Sequence, residues 1–179
     1  NCYHLQYDYV EGKEGMFSSR LGNAVPLFDL IAEMESVVYT KHLAGHVNSG
    51  VMEAEEGHNI SKIVAKGAIK YGMLRIDPAK KITFDMDEWT ELHGDSGPYQ
   101  QYTYARIQSL LAKQGYDPHG PFDPAALDDE REKELLVKAS QFNDVVLMAV
   151  QQYRPNVLTA YLYDFAKVYN NLNNFVKIK

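Results

Sequence analysis

The chain alternates between stretches with apolar residues every three or four positions and short polar stretches rich in glycine and proline. The first pattern marks helices with one buried face. After Pro26, which suits a helix start, Leu27, Leu30, Ile31, Met34, Val37 and Val38 predict a helix over 27–43. A second helix is expected from about residue 59, capped by Asn59 or Ser61. Its buried stripe would be Ile60, Ile63, Val64, Gly67, Ala68, Tyr71 and Leu74. Lys62, Lys66 and Lys70 fall at i, i+4 and i+8, so they share one exposed face. Further helices are expected at about 99–113 and from an acidic start at 128–134 to about Tyr153. A last one opens at Pro155, with Leu158, Tyr161, Leu162, Phe165, Val168, Leu172 and Phe175 as its stripe. Strand is expected only at 1–10 and 80–84. Residues 11–25, 45–57 and 115–124 read as loops, the second of them exposed and acidic, and 85–92 reads as a short helical turn.

Composition narrows the class. With 179 residues, 45% hydrophobic and 23% charged, the chain has the profile of a soluble globular protein. No apolar run approaches the roughly 20 residues of a membrane span. A single cysteine, Cys2, excludes an internal disulfide and fits a reducing compartment. The chain opens on Asn1 within an apolar, aromatic stretch, and a piece of a longer protein is expected. The net charge of -6 argues against a general nucleic-acid binder. All of the acidic excess lies in residues 1–98, with 9 Lys/Arg against 15 Asp/Glu; residues 99–179 carry 9 of each. RNA contact in the second part must therefore use local cations and stacking rather than a general positive field.

Three segments carry a resemblance: KGAIKYGMLRIDPAKKITFDMDEW, GDSGPYQQYTYARIQSLLAK and RPNVLTAYLYDFAKVYNNLNNF. In wording, order and spacing the chain resembles the class I arginyl-tRNA synthetases. The resemblance implies a mainly α fold. A helical-bundle anticodon-binding domain, whole or truncated at its C-terminus, would occupy 56–179, after a small remnant of an α/β catalytic domain at 1–55. The D-A-L-R signature of such domains is degenerate here, as Tyr104–Ile107. The implied activity of the parent enzyme is arginine–tRNA ligation through an arginyl-adenylate. Its implied partners are the arginine-accepting tRNA, arginine, ATP and Mg2+, with no DNA or membrane partner and a cytoplasmic location.

The segment Gly94–Arg106 also reads on its own terms. Gly94 and Gly97 permit a tight turn, and Pro98 sits where a helix begins. Tyr99 and Tyr102, three apart, share a face that Arg106 continues. Tyrosine rings stack on unpaired bases, and a helix start favours phosphate. Core tyrosines with tethered hydroxyls are the alternative. By resemblance, Tyr99, Gln101, Tyr102 and Arg106 are candidate tRNA contacts, as are Lys62, Lys66, Lys70, Tyr163 and Asn170.

Residues 16–23, MFSSRLGN, resemble the mobile signature loop of class I synthetases in its arginyl form. Ser18, Ser19 and Arg20 match it and are the expected ATP-phosphate contacts. Met16 and Leu21 stand where cations are usual, and Lys13 is a candidate substitute. The other half of that catalytic site would lie upstream of Asn1. The isolated chain is therefore expected to hold no bound cofactor and to be inactive in aminoacylation. A non-catalytic RNA-binding module derived from a synthetase is the alternative reading. His42 and His46 at i, i+4, near His58 and Glu53, imitate a metal site only loosely, and no metal is expected. Trp89 reads as a packing residue.

Overall fold

The computed structural model describes residues 4–17, 25–115, 117, 119–121 and 123–175. They form two compact units, Asn1–Gln101 and Tyr102–Lys179. The fold is mainly helical, as expected.

In the first unit, β1 (Val10–Gly12) pairs antiparallel with β2 (Gly15–Met16), with Glu11 opposite Met16. The tight return between them needs Gly15 at φ +111°. On its other side β1 runs parallel to β3 (Ile82–Phe84). The expected strand over 1–10 is thus reduced to its end. Residues 4–9 are not in a strand, although Asp8 N–H donates to the Pro78 carbonyl and Ile82 N–H to that of Tyr9. Apolar and aromatic residues supplied the strand signal, but Leu5, Tyr7 and Tyr9 are exposed.

Helix α1 (Leu27–Val38) packs on α3 (Ala54–Leu74). A wider helical turn at Tyr39–Leu43 and a short α2 (Ala44–Asn48) join them. Part of the expected acidic loop is therefore helix. Helix α3 starts before Asn59, with Glu53 at its N-cap and no side-chain cap bond. Glu55 and Glu56 sit in its first turn, where the helix dipole favours carboxylates. The buried face of α3 is Gly57, Ser61, Ala65, Ala68, Tyr71 and Gly72. Ile63 and Leu74, expected inside, are exposed. Small residues win the inner face because neighbouring elements come close: a Cβ on Gly72 would lie 2.4 Å from the Trp89 ring. Met34, Val38, Leu43, Ala65, Ala68, Phe84 and Trp89 form the core. Trp89 is the packing residue expected, edge-on to Phe84 at 4.8 Å between ring centres. It closes α4 (Met86–Trp89), whose N-cap Asp85 accepts from the amides of Asp87 and Glu88.

Helix α5 (Gly97–Gln114) begins in the first unit and ends in the second. The second unit continues with α6 (Glu130–Ser140), α7 (Phe142–Gln152) and α8 (Pro155–Phe175), and both α6 and α7 pack on α8. The single helix expected over 128–153 is broken at Gln141. Asp129 and Glu132 close a capping box at the start of α6. Tyr153 ends α7 in the left-handed region at φ 54°, and Pro155 opens α8 as expected. On α8, Thr159, Tyr161, Ala166, Tyr169 and Leu172 are buried. No residue of α6 or α7 is buried, and Leu136, Val137, Phe142, Leu147, Met148 and Val150 are exposed.

Candidate nucleic-acid interface

The start of α5 is fixed by its turn. Gly94 takes φ +74°, where a side chain is strained. The Ser96 hydroxyl donates to the Glu91 carbonyl at 2.5 Å and accepts from Tyr99 N–H at 3.2 Å, capping the helix. Gly97 has no room for a side chain: a Cβ there would meet the Gly67 carbonyl oxygen at 2.6 Å and Ala68 Cα at 2.8 Å. The turn is tied to α3 by Tyr71, whose hydroxyl donates to Asp95 Oδ1 at 2.6 Å. Arg75 donates to the Asp95 carbonyl at 2.6 Å and pairs with Glu88. Burial, and then the bond to Asp95, push the Tyr71 hydroxyl far above its ordinary pKa, so it stays a donor. Gln101 donates from Nε2 to the Ile63 carbonyl at 3.2 Å and fills the gap left by Gly67. Of the candidates in this unit, Tyr99 is half-buried and Gln101 faces α3. Lys62, Lys66 and Lys70 are exposed.

In the second unit, Tyr102 is 47% exposed and Arg106 half-buried. Arg106 is held by amides of α8. Nη1 donates to Asn170 Oδ1 at 3.1 Å and Nη2 to Asn174 Oδ1 at 3.4 Å. With its oxygen turned to the guanidinium, Asn173 accepts from Nε at 2.8 Å and from Nη2 at 2.6 Å. Asn170 Nδ2 donates in turn to Thr103 Oγ1 at 3.0 Å, which orients its oxygen toward Arg106. Arg106 has no carboxylate partner among the described residues. A guanidinium does not lose its proton. Neutral amides thus fix the plane of a full positive charge without cancelling it. The sequence places Arg106 and Asn170 as separate candidates, and the structure brings them into contact. Asn173 and Asn174 as partners of Arg106, and Thr103 as the partner of Asn170, are what sequence reasoning missed. The cluster of asparagines late in a helix, where they are poor formers, was the available signal.

Tyr163 is elsewhere on α8, under the Lys167 ammonium at 4.7 Å. Lys167 also pairs with Asp164 at 2.8 Å and, with Lys138, holds that carboxyl below its ordinary pKa. The structure does not join Tyr163 to the Arg106 cluster.

Ser18, Ser19, Arg20 and Leu21 lie outside the described residues. Earlier in the chain, Lys13 pairs with Asp85 at 2.7 Å, and Met16 is exposed. Burial alone would raise the Asp85 pKa, but Lys13 and the α4 amides bring it below the ordinary value. His42 Nε2 bonds the Thr90 carbonyl at 2.8 Å, and His58 stacks on Tyr39 at 4.3 Å. No described helix is long and apolar enough to cross a membrane.

The second unit is thus a helical one that fixes an arginine with neutral amides beside an exposed tyrosine. Residues 100–179 match the family model of the DALR anticodon binding domain. Over nearly its whole length the chain is similar to one part of arginine–tRNA ligases. It is 45% identical over 170 residues to an arginine–tRNA ligase of Bdellovibrio bacteriovorus, covering 95% of this chain and 29% of that protein. For the arginine–tRNA ligase of Flavobacterium psychrophilum the identity is 34% over 179 residues, covering 99% and 29%. The Thermus thermophilus arginyl-tRNA synthetase structure superposes with a TM-score of 0.80 at 27% identity, over 96% of this chain and 27% of that one. The Plasmodium falciparum arginyl-tRNA synthetase shares the fold, with a TM-score of 0.71 at 20% identity over 87% of this chain and 28% of that one. The chain thus spans under a third of the length of these relatives.

Proposed function

We propose that this chain recognises the anticodon arm of an arginine-accepting tRNA, as part of a protein that joins arginine to that tRNA with ATP. The observation that carries the reading is Arg106, oriented by three asparagines, uncancelled, and one helical turn from the exposed Tyr102. Such a pair suits an unpaired loop. The ring stacks on a splayed base, while the guanidinium meets a phosphate or a base edge. Tyr99, one turn earlier on α5, extends the same face. Gln101 contributes by holding α5 against α3. Lys62, Lys66 and Lys70 meet backbone phosphates elsewhere on the tRNA, and Tyr163 and Asn170 lie on the recognition side of α8. Asn170 acts there through Arg106.

Residues 1–55 represent the end of the catalytic domain, with the anticodon-binding helices following. Ser18, Ser19 and Arg20 are the chain's contribution to ATP phosphates, with Mg2+ as the accompanying ion; what they supply is positioning and charge stabilisation. The protein is cytoplasmic.

Binding of the chain to the arginine-accepting tRNA, against the same tRNA with its anticodon bases replaced, tests the reading. Tighter binding to the natural anticodon is expected. Equal affinity for both would overturn anticodon recognition.

A further inference from the structure

Tyr102, Ala105, Arg106, Ser109, Leu110 and Lys113 of α5, with Asn173 of α8, line an open groove of about 310 Å³. Helical geometry aligns them. At about 100° per residue, positions 102, 106, 109 and 113 fall within roughly 60° of arc, in one row along the axis. The row reads aromatic, cation, hydroxyl, cation. Its lining contains no carboxylate. Lys113 is exposed and makes no ion pair among the described residues. Arg106 is likewise uncancelled, so the groove carries two positive charges in a chain whose net charge is -6. Ala105 and Leu110 are its apolar lining. Deep beside it, Tyr169 is 6% exposed, within electrostatic reach of Arg106 and Tyr102, and its hydroxyl has no hydrogen-bond partner among the described residues.

We propose that this groove is a track for a single-stranded RNA backbone, and that Lys113 is a second phosphate contact, beyond the Tyr102–Arg106 pair. The proposal rests on the RNA-binding reading above. Seven residues separate Arg106 from Lys113, about 10.5 Å at 1.5 Å per residue. A stacked strand advances about 3.4 Å per nucleotide. The two cations therefore meet phosphates about three steps apart, with sugar or base edges lying over Leu110 and Ser109 between them. A duplex, whose paired bases cannot splay into the groove, is not its ligand. The other role open to Lys113 is to complement the C-terminal dipole of α5, since it lies in the last turn. That role affects stability and leaves the RNA salt dependence unchanged.

The test measures binding of the 179-residue chain to an RNA hairpin with the sequence of the arginine anticodon arm, and to a blunt RNA duplex of equal length, across a salt series. For one single-strand phosphate contact, Lys113→Gln should flatten the log–log salt slope by about 0.7 and weaken hairpin binding about 4-fold at 0.15 M salt. Lys113→Arg should restore both, and neither change should appear with the duplex. If Arg106→Gln flattens the slope while Lys113→Gln does not, the track is refuted and the RNA reading stands. If Lys113→Gln weakens duplex and hairpin alike, Lys113 is a general basic contact and the track is refuted. If the wild-type chain does not bind the hairpin, the RNA reading falls and the track with it.

Discussion

Replacing Gly97 with alanine is the sharpest test of how α5 is set. The new Cβ would stand 2.6 Å from the Gly67 carbonyl oxygen and 2.8 Å from Ala68 Cα, both backbone atoms of α3 that cannot rotate away. Relieving the first contact to about 3.4 Å requires a shift of about 0.8 Å at the helix start, against a well-packed neighbour. Overpacking of this kind costs about 1–3 kcal/mol. Alanine gains up to about 1 kcal/mol over glycine in a helix interior, but little in the first turn. A net loss of about 1–2 kcal/mol remains. For a chain of this size that lowers Tm by about 2–8 °C. Trp89 is the sole tryptophan and sits in the core of the same unit, so its fluorescence follows the melting of that unit alone. Gly45→Ala in α2 is the control, because nothing lies within 4 Å of its Cβ and its φ is not positive. That variant should melt at or above the wild type. If Gly97→Ala melts with Gly45→Ala, close approach does not position α5, and the account of the GDSGP turn fails.

Tyr102→Ala should weaken hairpin binding by about 1–3 kcal/mol, roughly 5- to 150-fold, without a change in salt slope, because a ring stacks but carries no charge. Arg106→Lys should bind the hairpin no more tightly than Arg106→Gln does, since one ammonium cannot be fixed by three amides as the planar guanidinium is. Tyr153→Gly should raise stability by about 1 kcal/mol by relieving the left-handed backbone at φ 54°; a lower Tm would mean that the ring's contacts outweigh that strain. In acid, Asp85, Glu91 and Asp164 act together. Lys13 with the α4 amides, Lys41 and Lys167 respectively hold these carboxyls below their ordinary values. A depressed folded pKa contributes stability that is present above the unfolded value, near pH 4, and lost as pH falls through the folded one. Asp85→Asn should therefore reduce the acid sensitivity of Trp89 melting below about pH 4, and an unchanged pH profile would refute that ion pair.

Much of this architecture is legible in the sequence because helix periodicity is a local signal. Pro155 and its stripe, the start of α5 and the packing of Trp89 all follow from neighbours in the chain. What escaped depends on distant partners. The inner face of α3 is built from Gly57, Ala65, Ala68 and Gly72 because α5, Trp89 and Tyr39 come close, and hydrophobic periodicity reads such small residues poorly. The break at Gln141 leaves no proline or glycine to announce it. The asparagine cradle joins Arg106 to residues 64 to 68 positions away, a distance that spacing rules do not reach. The Gly94–Arg106 word carries the family resemblance, but only the fold shows that, among the described residues, its arginine is held by amides.

The most direct measurement is an NMR titration of the labelled chain with the arginine anticodon-arm hairpin. Perturbations should concentrate at Tyr99, Tyr102, Arg106 and Lys113 on α5 and at Asn170, Asn173 and Asn174 on α8. Perturbations confined to α6 and α7 or to the Lys62–Lys70 face, with α5 silent, would contradict the account.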